Sequence, residues 1–319
     1  MTSSIRDTEL KADNGTNIID YNNGELRFIL QLYFFNISMK YVKLREIGKN
    51  ILKENNISDY DFDSKELLLF ALKTDLKDYL LKMNDECEKS IEEKYLSYID
   101  KRKKHIPLQH ITHEMNFYGY SFYVNKDVLI PRFDTEILVE EALKKIKSGD
   151  KILDMCTGSG CIIISILKKK GKTKGVGIDI SDKALLVANK NSKKLLVSDR
   201  IKLIKSDLFN ELKEMEFDII ISNPPYIREA DIDSLSDEVK CYDPYIALCG
   251  GEDGLYFYRK IAKESKKFLK QGGYLFFEIG YDEAKAVKEI LLKNDFCDIE
   301  IKSDLNGFNR VVSGKNKKF

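Results

Sequence analysis

Asn223-Pro224-Pro225-Tyr226 follows directly on the apolar run Phe217-Asp218-Ile219-Ile220-Ile221-Ser222, and its residue types suit methyl transfer to a planar nitrogen. An NH2 group conjugated to a carbonyl or an aromatic ring is a poor nucleophile, because its lone pair is delocalised. Positioning must then carry much of the catalysis. The Asn223 side-chain oxygen and the Pro224 carbonyl can each accept one N–H bond and aim the nitrogen at a methyl donor. Pro224 and Pro225 stiffen the turn, and Tyr226 has a ring to lay against a flat substrate. No general base is needed before transfer, since the proton becomes acidic only once the nitrogen is cationic. A plain tight turn leaving a buried strand would use the same prolines, so the surroundings decide.

Upstream, Lys151-Ile152-Leu153-Asp154-Met155 reads as a strand running into the small-residue loop Cys156-Thr157-Gly158-Ser159-Gly160 and then a helix. Glycines let backbone approach a ligand, and the free N–H groups of a helix start attract an anion. A second short strand, Gly175-Val176-Gly177-Ile178-Asp179, ends on a carboxylate at the spacing of a ribose-binding acid. A nicotinamide dinucleotide would give a similar signal. S-adenosyl-L-methionine is favoured for three reasons: Ile163 occupies the place of a third glycine, Asp154 suits the loop and the ammonium end of a methionine, and a dehydrogenase has no use for Asn223 to Tyr226. Asp207 and Leu208, after the strand 201–205, are placed to frame an adenine.

Composition bounds the rest. The 319 residues can bury a large core, and one catalytic domain plus a smaller one is expected. A formal net charge of +1 argues against broad electrostatic capture of nucleic acid. Lys101-Arg102-Lys103-Lys104 is the densest basic run and reads first as a solvated helix end, second as a phosphate contact. Six cysteines show neither zinc-ligand pairing nor disulfide density, which fits a reducing cytoplasm. His105, His110 and His113 lack a companion cysteine or carboxylate cluster, so no metal is assigned. No apolar run reaches membrane-spanning length, and no sound secretory signal is seen.

Along the chain, residues 1–38 are polar, Asn-rich and of uncertain status as an extension. Residues 39–105 carry helical patterning, with Leu44, Ile47 and Ile51 on one face, Leu67, Leu68, Ala71 and Leu72 on a second, and Ile91, Tyr95 and Tyr98 on a third. The aromatic alternation Phe117 to Val124 predicts a β-hairpin within a linker, 106–133. From 134 to 319 strands and helices alternate: helix 134–147, strand 151–155, helix 161–170, strand 175–179, helix 182–197, strands 201–205 and 217–222, a long loop 227–251, helix 254–270, strand 273–279, helix 282–293, and strands near 296–302 and 309–313. That order predicts an α/β domain with an open, mainly parallel sheet. Ligands in such sheets bind beyond the carboxyl ends of the strands, where Gly158, Asp179, Asp207 and Asn223 all fall.

These residues resemble one family, the bacterial glutamine methyltransferases of peptide chain release factors of the HemK/PrmC type, from about residue 39 onward. The resemblance rests on Pro107-Leu108-Gln109-His110-Ile111, Phe117 and Gly119, Val128-Leu129-Ile130-Pro131-Arg132, Thr135-Glu136, Asp154 to Gly160, Asp179-Ile180-Ser181, Asp207-Leu208-Phe209, Ser222 to Ile227, Tyr242-Asp243-Pro244, Ala247-Leu248, Gly251 to Leu255 and Glu278-Ile279-Gly280. It implies a Rossmann-like class I S-adenosylmethionine-dependent methyltransferase domain preceded by a small helical bundle and a β-hairpin linker. The implied substrate is the glutamine amide nitrogen in the Gly-Gly-Gln loop of class I release factors, held in part by the helical domain, with no direct nucleic-acid contact and a monomeric enzyme. The implied cofactor residues are Cys156, Thr157, Gly158, Ser159, Gly160, Asp179, Leu208 and Asn223; Asn223, Pro224, Pro225 and Tyr226 face the substrate, with Asn223, Pro224 and Tyr226 catalytic. The sequence departs from the family pattern at Cys156, where Gly is usual, and at His113, Phe133-Asp134, Asp243 and Glu283. The rival enzymatic reading is an adenine-N6 or guanine-N2 nucleic-acid methyltransferase, which faces the same nucleophile problem. The 227–251 loop is too short for a DNA target-recognition domain, and the near-neutral charge also weighs against it. A non-catalytic cofactor-binding adaptor is the other rival, opposed by the intact Asn223 and Tyr226.

Overall fold

The computed structural model describes residues 39–317, so the extension 1–38 lies outside the described residues. Five helices open the chain: α1 (Tyr41–Glu54), α2 (Tyr60–Leu72), α3 (Leu76–Lys82), α4 (Lys89–Arg102) and the short α5 (Leu108–Thr112). They share a core of Leu44, Leu52, Leu67, Leu68, Tyr95 and Ile99, which Leu108 and Ile111 of α5 complete. The inward stripe of α1 is Tyr41, Leu44, Gly48 and Leu52, one position round from the expected face, so Ile47 and Ile51 are only half-buried. The cause is Gly48. A Cβ there would lie 2.0 Å from the Tyr95 hydroxyl oxygen, so the tyrosine of α4 fills the space that a side chain on α1 would take.

The basic run at the end of α4 is not uniformly solvated. Arg102 is 3% exposed, its Nε donates to Asp63 at 2.6 Å, and its Nη2 donates to Glu238 at 2.5 Å. A buried guanidinium needs such partners. Because Asp63 lies on α2 and Glu238 far along the chain, this one side chain ties the helical cluster to the segment 227–251. The Tyr242 hydroxyl adds a second tie by donating to the Lys104 carbonyl at 2.9 Å.

The hairpin forms as expected, β1 (Glu114–Phe117) pairing antiparallel with β2 (Tyr120–Tyr123) across Tyr118-Gly119. Then come α6 (Asp134–Lys145), β3 (Lys151–Met155), α7 (Cys161–Lys169), β4 (Lys174–Asp179), α8 (Asp182–Lys194), β5 (Ile201–Lys205) and β6 (Phe217–Ser222). The segment expected as a long loop holds a 3-10 turn at Glu229–Ser234 and two short helices, α9 (Asp237–Tyr242) and α10 (Tyr245–Leu248). Helices of this length show no amphipathic period. The chain closes with α11 (Tyr256–Ser265), β7 (Leu269–Glu278), α12 (Ala284–Lys293), β8 (Phe296–Ser303) and β9 (Asn309–Asn316).

The seven-stranded sheet has the order β5-β4-β3-β6-β7-β9-β8, with β9 antiparallel to both neighbours and the other pairings parallel. Its central strands are apolar on both faces, as helix-covered parallel strands must be. Leu153, Met155, Ile220, Leu275 and Phe277 face α11 and α12 on one side; Ile152, Ile219, Ile221 and Phe276 face α6 and α7 on the other. Strand β7 begins at Leu269, earlier than the expected 273, and takes in the end of the expected helix 254–270. Its register with β6 shifts between Phe217 and Ile219, and Gly273 packs where a Cβ would lie 2.7 Å from the Asp218 carbonyl. Gly273 thus sits inside the strand at an irregularity of the pairing.

Candidate active site

Strand order fixes where a ligand goes. β4 and β6 flank β3 on opposite sides, so the chain's direction of travel reverses there and a crevice opens at the carboxyl ends of β3, β4, β5 and β6. That crevice is a cavity of about 260 Å³. Cys156, Thr157, Gly158 and Ser159 line it from the loop after β3, Asp179 from β4, Asp207 and Leu208 from the loop after β5, and Asn223 and Pro225 from the turn after β6. Gly160, Pro224 and Tyr226 do not line it. Residues the sequence reading left unassigned also contribute, among them Arg132, Thr135, Ile180, Ile246 and Tyr256.

The loop after β3 is held by its own neighbours. Asp154 is fully buried rather than facing the cavity, and its Oδ2 accepts from the Thr157 hydroxyl at 2.5 Å. Burial pushes its carboxyl up to about 7. Cys156 takes a left-handed φ of 60°, the conformation a glycine would adopt without strain. Its thiol is raised by burial. Gly158 N donates to Asp179 Oδ2 at 2.9 Å and Ser181 N donates to Asp179 Oδ1 at 2.9 Å, so the β4 carboxylate is clamped between two loops. Desolvation raises the Asp179 pKa, and the backbone bonds from Ser181, Gly158 and Ile180 oppose it.

Two glycines explain the shape of this wall. Gly160 caps α7 with a φ of 78°, and a Cβ there would meet Ile164 Cδ1 at 2.8 Å; its role is helix packing rather than ligand contact. Ile163, in the place of a third glycine, still sits close to the sheet because Gly175 of β4 leaves room. A Cβ on Gly175 would lie 2.7 Å from Ile163 Cγ1. The close helix–strand approach is thus kept by moving the glycine from helix to strand.

The opposite wall is assembled from distant parts. Ser222 is buried at the end of β6, where its hydroxyl donates to the Met155 carbonyl at 2.8 Å and locks the strand before the turn. Asn223 is half-buried, and its Nδ2 donates to Thr135 Oγ1 on α6 at 3.3 Å, which leaves Oδ1 as an open acceptor. Tyr226 packs its ring against the core beneath the sheet rather than into the cavity, and burial raises its hydroxyl pKa. Its backbone is braced by Gly250 and Gly254; a Cβ on Gly254 would lie 2.5 Å from the Tyr226 carbonyl oxygen. Beside the turn, Glu278 at the end of β7 is 2% exposed and raised to about 7 chiefly by burial, with the nearby Thr135 and Arg132 side chains opposing. Asp243, between α9 and α10, is likewise raised to about 6 by burial, with Arg132 opposing. Among the described residues, no three His, Cys, Asp or Glu side chains gather as a metal site.

Comparison with known proteins bears on most of the chain. Residues 43–112 match the PrmC N-terminal domain, and residues 132–238 match the methyltransferase small domain. The chain is 45% identical over 267 residues to the release factor glutamine methyltransferase of Clostridium acetobutylicum, covering 82% of this chain and 94% of that protein. It belongs to the release factor glutamine methyltransferases. A second member of that family, from Clostridium botulinum, is 42% identical over 272 residues, covering 84% of this chain and 96% of that one. Among solved structures, the hMettl16 catalytic domain superposes with a TM-score of 0.51 at 16% identity, covering 70% of this chain and 81% of that one, which speaks to the fold alone. The helical region, hairpin and seven-stranded mixed sheet are those of a release factor glutamine methyltransferase with a class I methyltransferase fold.

Proposed function

We propose that this chain transfers a methyl group from S-adenosyl-L-methionine to the side-chain amide nitrogen, N5, of the glutamine in the Gly-Gly-Gln motif of class I peptide chain release factors. Family membership supports the reaction class, and one observation supports the geometry: the Asn223 side chain stands in the wall of a cavity whose opposite side is a glycine loop clamped to a strand-end carboxylate.

The residues present fit that cofactor. Gly158 has a φ of 53° with nothing within 4 Å of where a Cβ would stand, so a ligand can lie directly on its backbone. Asp179 uses one lone pair of each oxygen on Gly158 and Ser181, and the remaining lone pairs suit two ribose hydroxyls. Leu208 and Ile180 offer apolar faces for a purine, with Asp207 beside them. Bound there, S-adenosylmethionine supplies a methyl group activated on a sulfonium.

Asn223 Oδ1 accepts one N–H of the glutamine amide, and the Pro224 carbonyl, the next acceptor along the turn, takes the other. Two acceptors in fixed positions suit a primary amide and orient its lone pair toward the cradle. The stiff Pro224-Pro225 backbone, followed by a Tyr226 backbone on which Gly250 and Gly254 pack closely, keeps those acceptors in place without substrate. Release factors work on ribosomes, so the compartment in this reading is the cytoplasm.

The test is transfer of labelled methyl from S-adenosylmethionine to a purified unmethylated release factor, run beside the same factor with Gln→Ala in its Gly-Gly-Gln motif. Label on the first and none on the second is expected. Equal labelling of both would sink the assignment of the acceptor.

A further inference from the structure

The two ends of an asparagine amide are nearly the same size, yet only one orientation of Asn223 is of use. With Oδ1 toward the cavity it accepts from the substrate nitrogen; with Nδ2 there it would point one donor at another. Something must decide between them. We propose that Thr135 is a positioning residue that fixes which end of the Asn223 amide faces the substrate, with Glu278 setting the direction of the Thr135 hydroxyl. The proposal rests on the glutamine-amide reading above and deepens it.

Thr135 is 2% exposed, lies in the first turn of α6, and reaches the cavity wall. Its backbone is anchored by a bond from Thr135 N to the Arg132 carbonyl at 3.1 Å. The register of β6 and β7 pairs Ser222 with Phe277, so Asn223 and Glu278 leave the two strands side by side. Thr135 stands beside both, accepting from Asn223 Nδ2 at 3.3 Å, while the neighbouring Glu278 keeps a buried oxygen, Oε2, without a hydrogen-bond partner among the described residues. A threonine hydroxyl has one proton. A carboxyl presents an acceptor oxygen whether ionised or not, so that proton goes to Glu278 and only lone pairs remain for Asn223. The Asn223 NH2 is therefore drawn inward and its carbonyl outward. Glu278 itself is 2% exposed, and its unpartnered Oε2 is the buried acceptor left for the Thr135 proton to turn toward.

The experiment compares Thr135→Val, which keeps the shape and removes the hydroxyl, with Thr135→Ser, which keeps the hydroxyl. Each is measured for methyl transfer to unmethylated release factor, for S-adenosylmethionine affinity by calorimetry, and for melting temperature. Thr135→Val should lower kcat on the order of 10- to 100-fold, as misorientation of a positioning group does. KM for the release factor should rise by less than kcat falls, and cofactor affinity should stay within about twofold, because one misdirected amide is a small part of the substrate interface and no part of the β3–β4 cradle. Thr135→Ser should recover most of kcat. In an Asn223→Ala background, Thr135→Val should add little, since the two residues act as one unit. An unchanged kcat in Thr135→Val, a loss equal in Val and Ser variants, or a loss that adds fully to Asn223→Ala would each overturn the proposal. Wild-type protein that transfers no methyl to release factor would overturn it together with the reading beneath it, an outcome distinct from an active wild type matched by Thr135→Val.

Discussion

Along the β3–β4 wall of the cavity, the key polar groups are held within two adjacent strands and the loops that follow them: Thr157 bonds Asp154, and Asp179 bonds Gly158 and Ser181, at 2.5 to 2.9 Å. Along the β6–β7 wall, Asn223 is held by Thr135, 88 positions away, and Glu278, beside them, comes from the end of another strand. The first wall is a local structure that shapes itself as soon as two adjacent strands pair. The second exists only when α6, β6 and β7 have packed. A cradle for a cofactor can be built from backbone and one carboxylate, because its ligand brings its own shape. An acceptor that must aim a weak nucleophile needs a side chain with a fixed direction, and direction comes from tertiary contacts.

Substitutions should therefore separate the two walls. Asn223→Ala removes the acceptor itself and should cost about 3–4 kcal/mol in the transition state, a 10²- to 10³-fold fall in kcat, with melting temperature unchanged and a much smaller change in cofactor affinity. Losses of equal size in both would erase the distinction. Asp179→Ala should act the other way, raising the S-adenosylmethionine dissociation constant about tenfold or more, since it removes charge-assisted bonds to two loops. At saturating cofactor its kcat should approach that of wild type, and a titration by calorimetry with parallel kinetics checks both.

Asp154 sharpens the comparison through pH. Its folded-state carboxyl is raised from 3.8 to about 7 because it is buried. The folded protein then binds that proton more tightly than the unfolded chain does, so this group favours folding at low pH and loses that contribution as pH rises from about 4 to about 7. Asp154→Asn should melt higher than wild type above pH 7, with the gap closing as pH falls toward 4. A gap constant across that range would mean that Asp154 is ionised throughout and held by Thr157 alone. The smallest effect is expected at Tyr226→Phe. The ring packs on the core outside the cavity wall, so turnover should stay within about threefold of wild type.

The same contrast explains what the sequence reveals. Strand ends, glycine loop and terminal carboxylate are short-range patterns, and Gly158, Asp179, Leu208 and Asn223 could be named from them and meet in one cavity. Thr135 and Glu278 carried no local signal beyond their place in family motifs, because a threonine in a first helical turn and a glutamate ending a strand are ordinary residues until packing brings them together. Arg102 was hidden for a similar reason: within a run of lysines nothing marks one guanidinium as buried, and its partners Asp63 and Glu238 lie 39 and 136 positions away. Gly48 and Gly175 show a third limit. Their value lies in space ceded to Tyr95 and Ile163, which pairwise packing alone defines. The helices of the 227–251 segment were too short to leave a period, though their ends supply Pro244, Ile246 and Ala247 to the cavity wall.

The most direct measurement is tandem mass spectrometry of a class I release factor after incubation with this protein and S-adenosylmethionine, with fragmentation resolved to the side chain. A single methyl group on the amide nitrogen of the Gly-Gly-Gln glutamine is the predicted result. A methyl group on any other residue, or an unmodified factor in the presence of protein shown to bind the cofactor, would contradict the account.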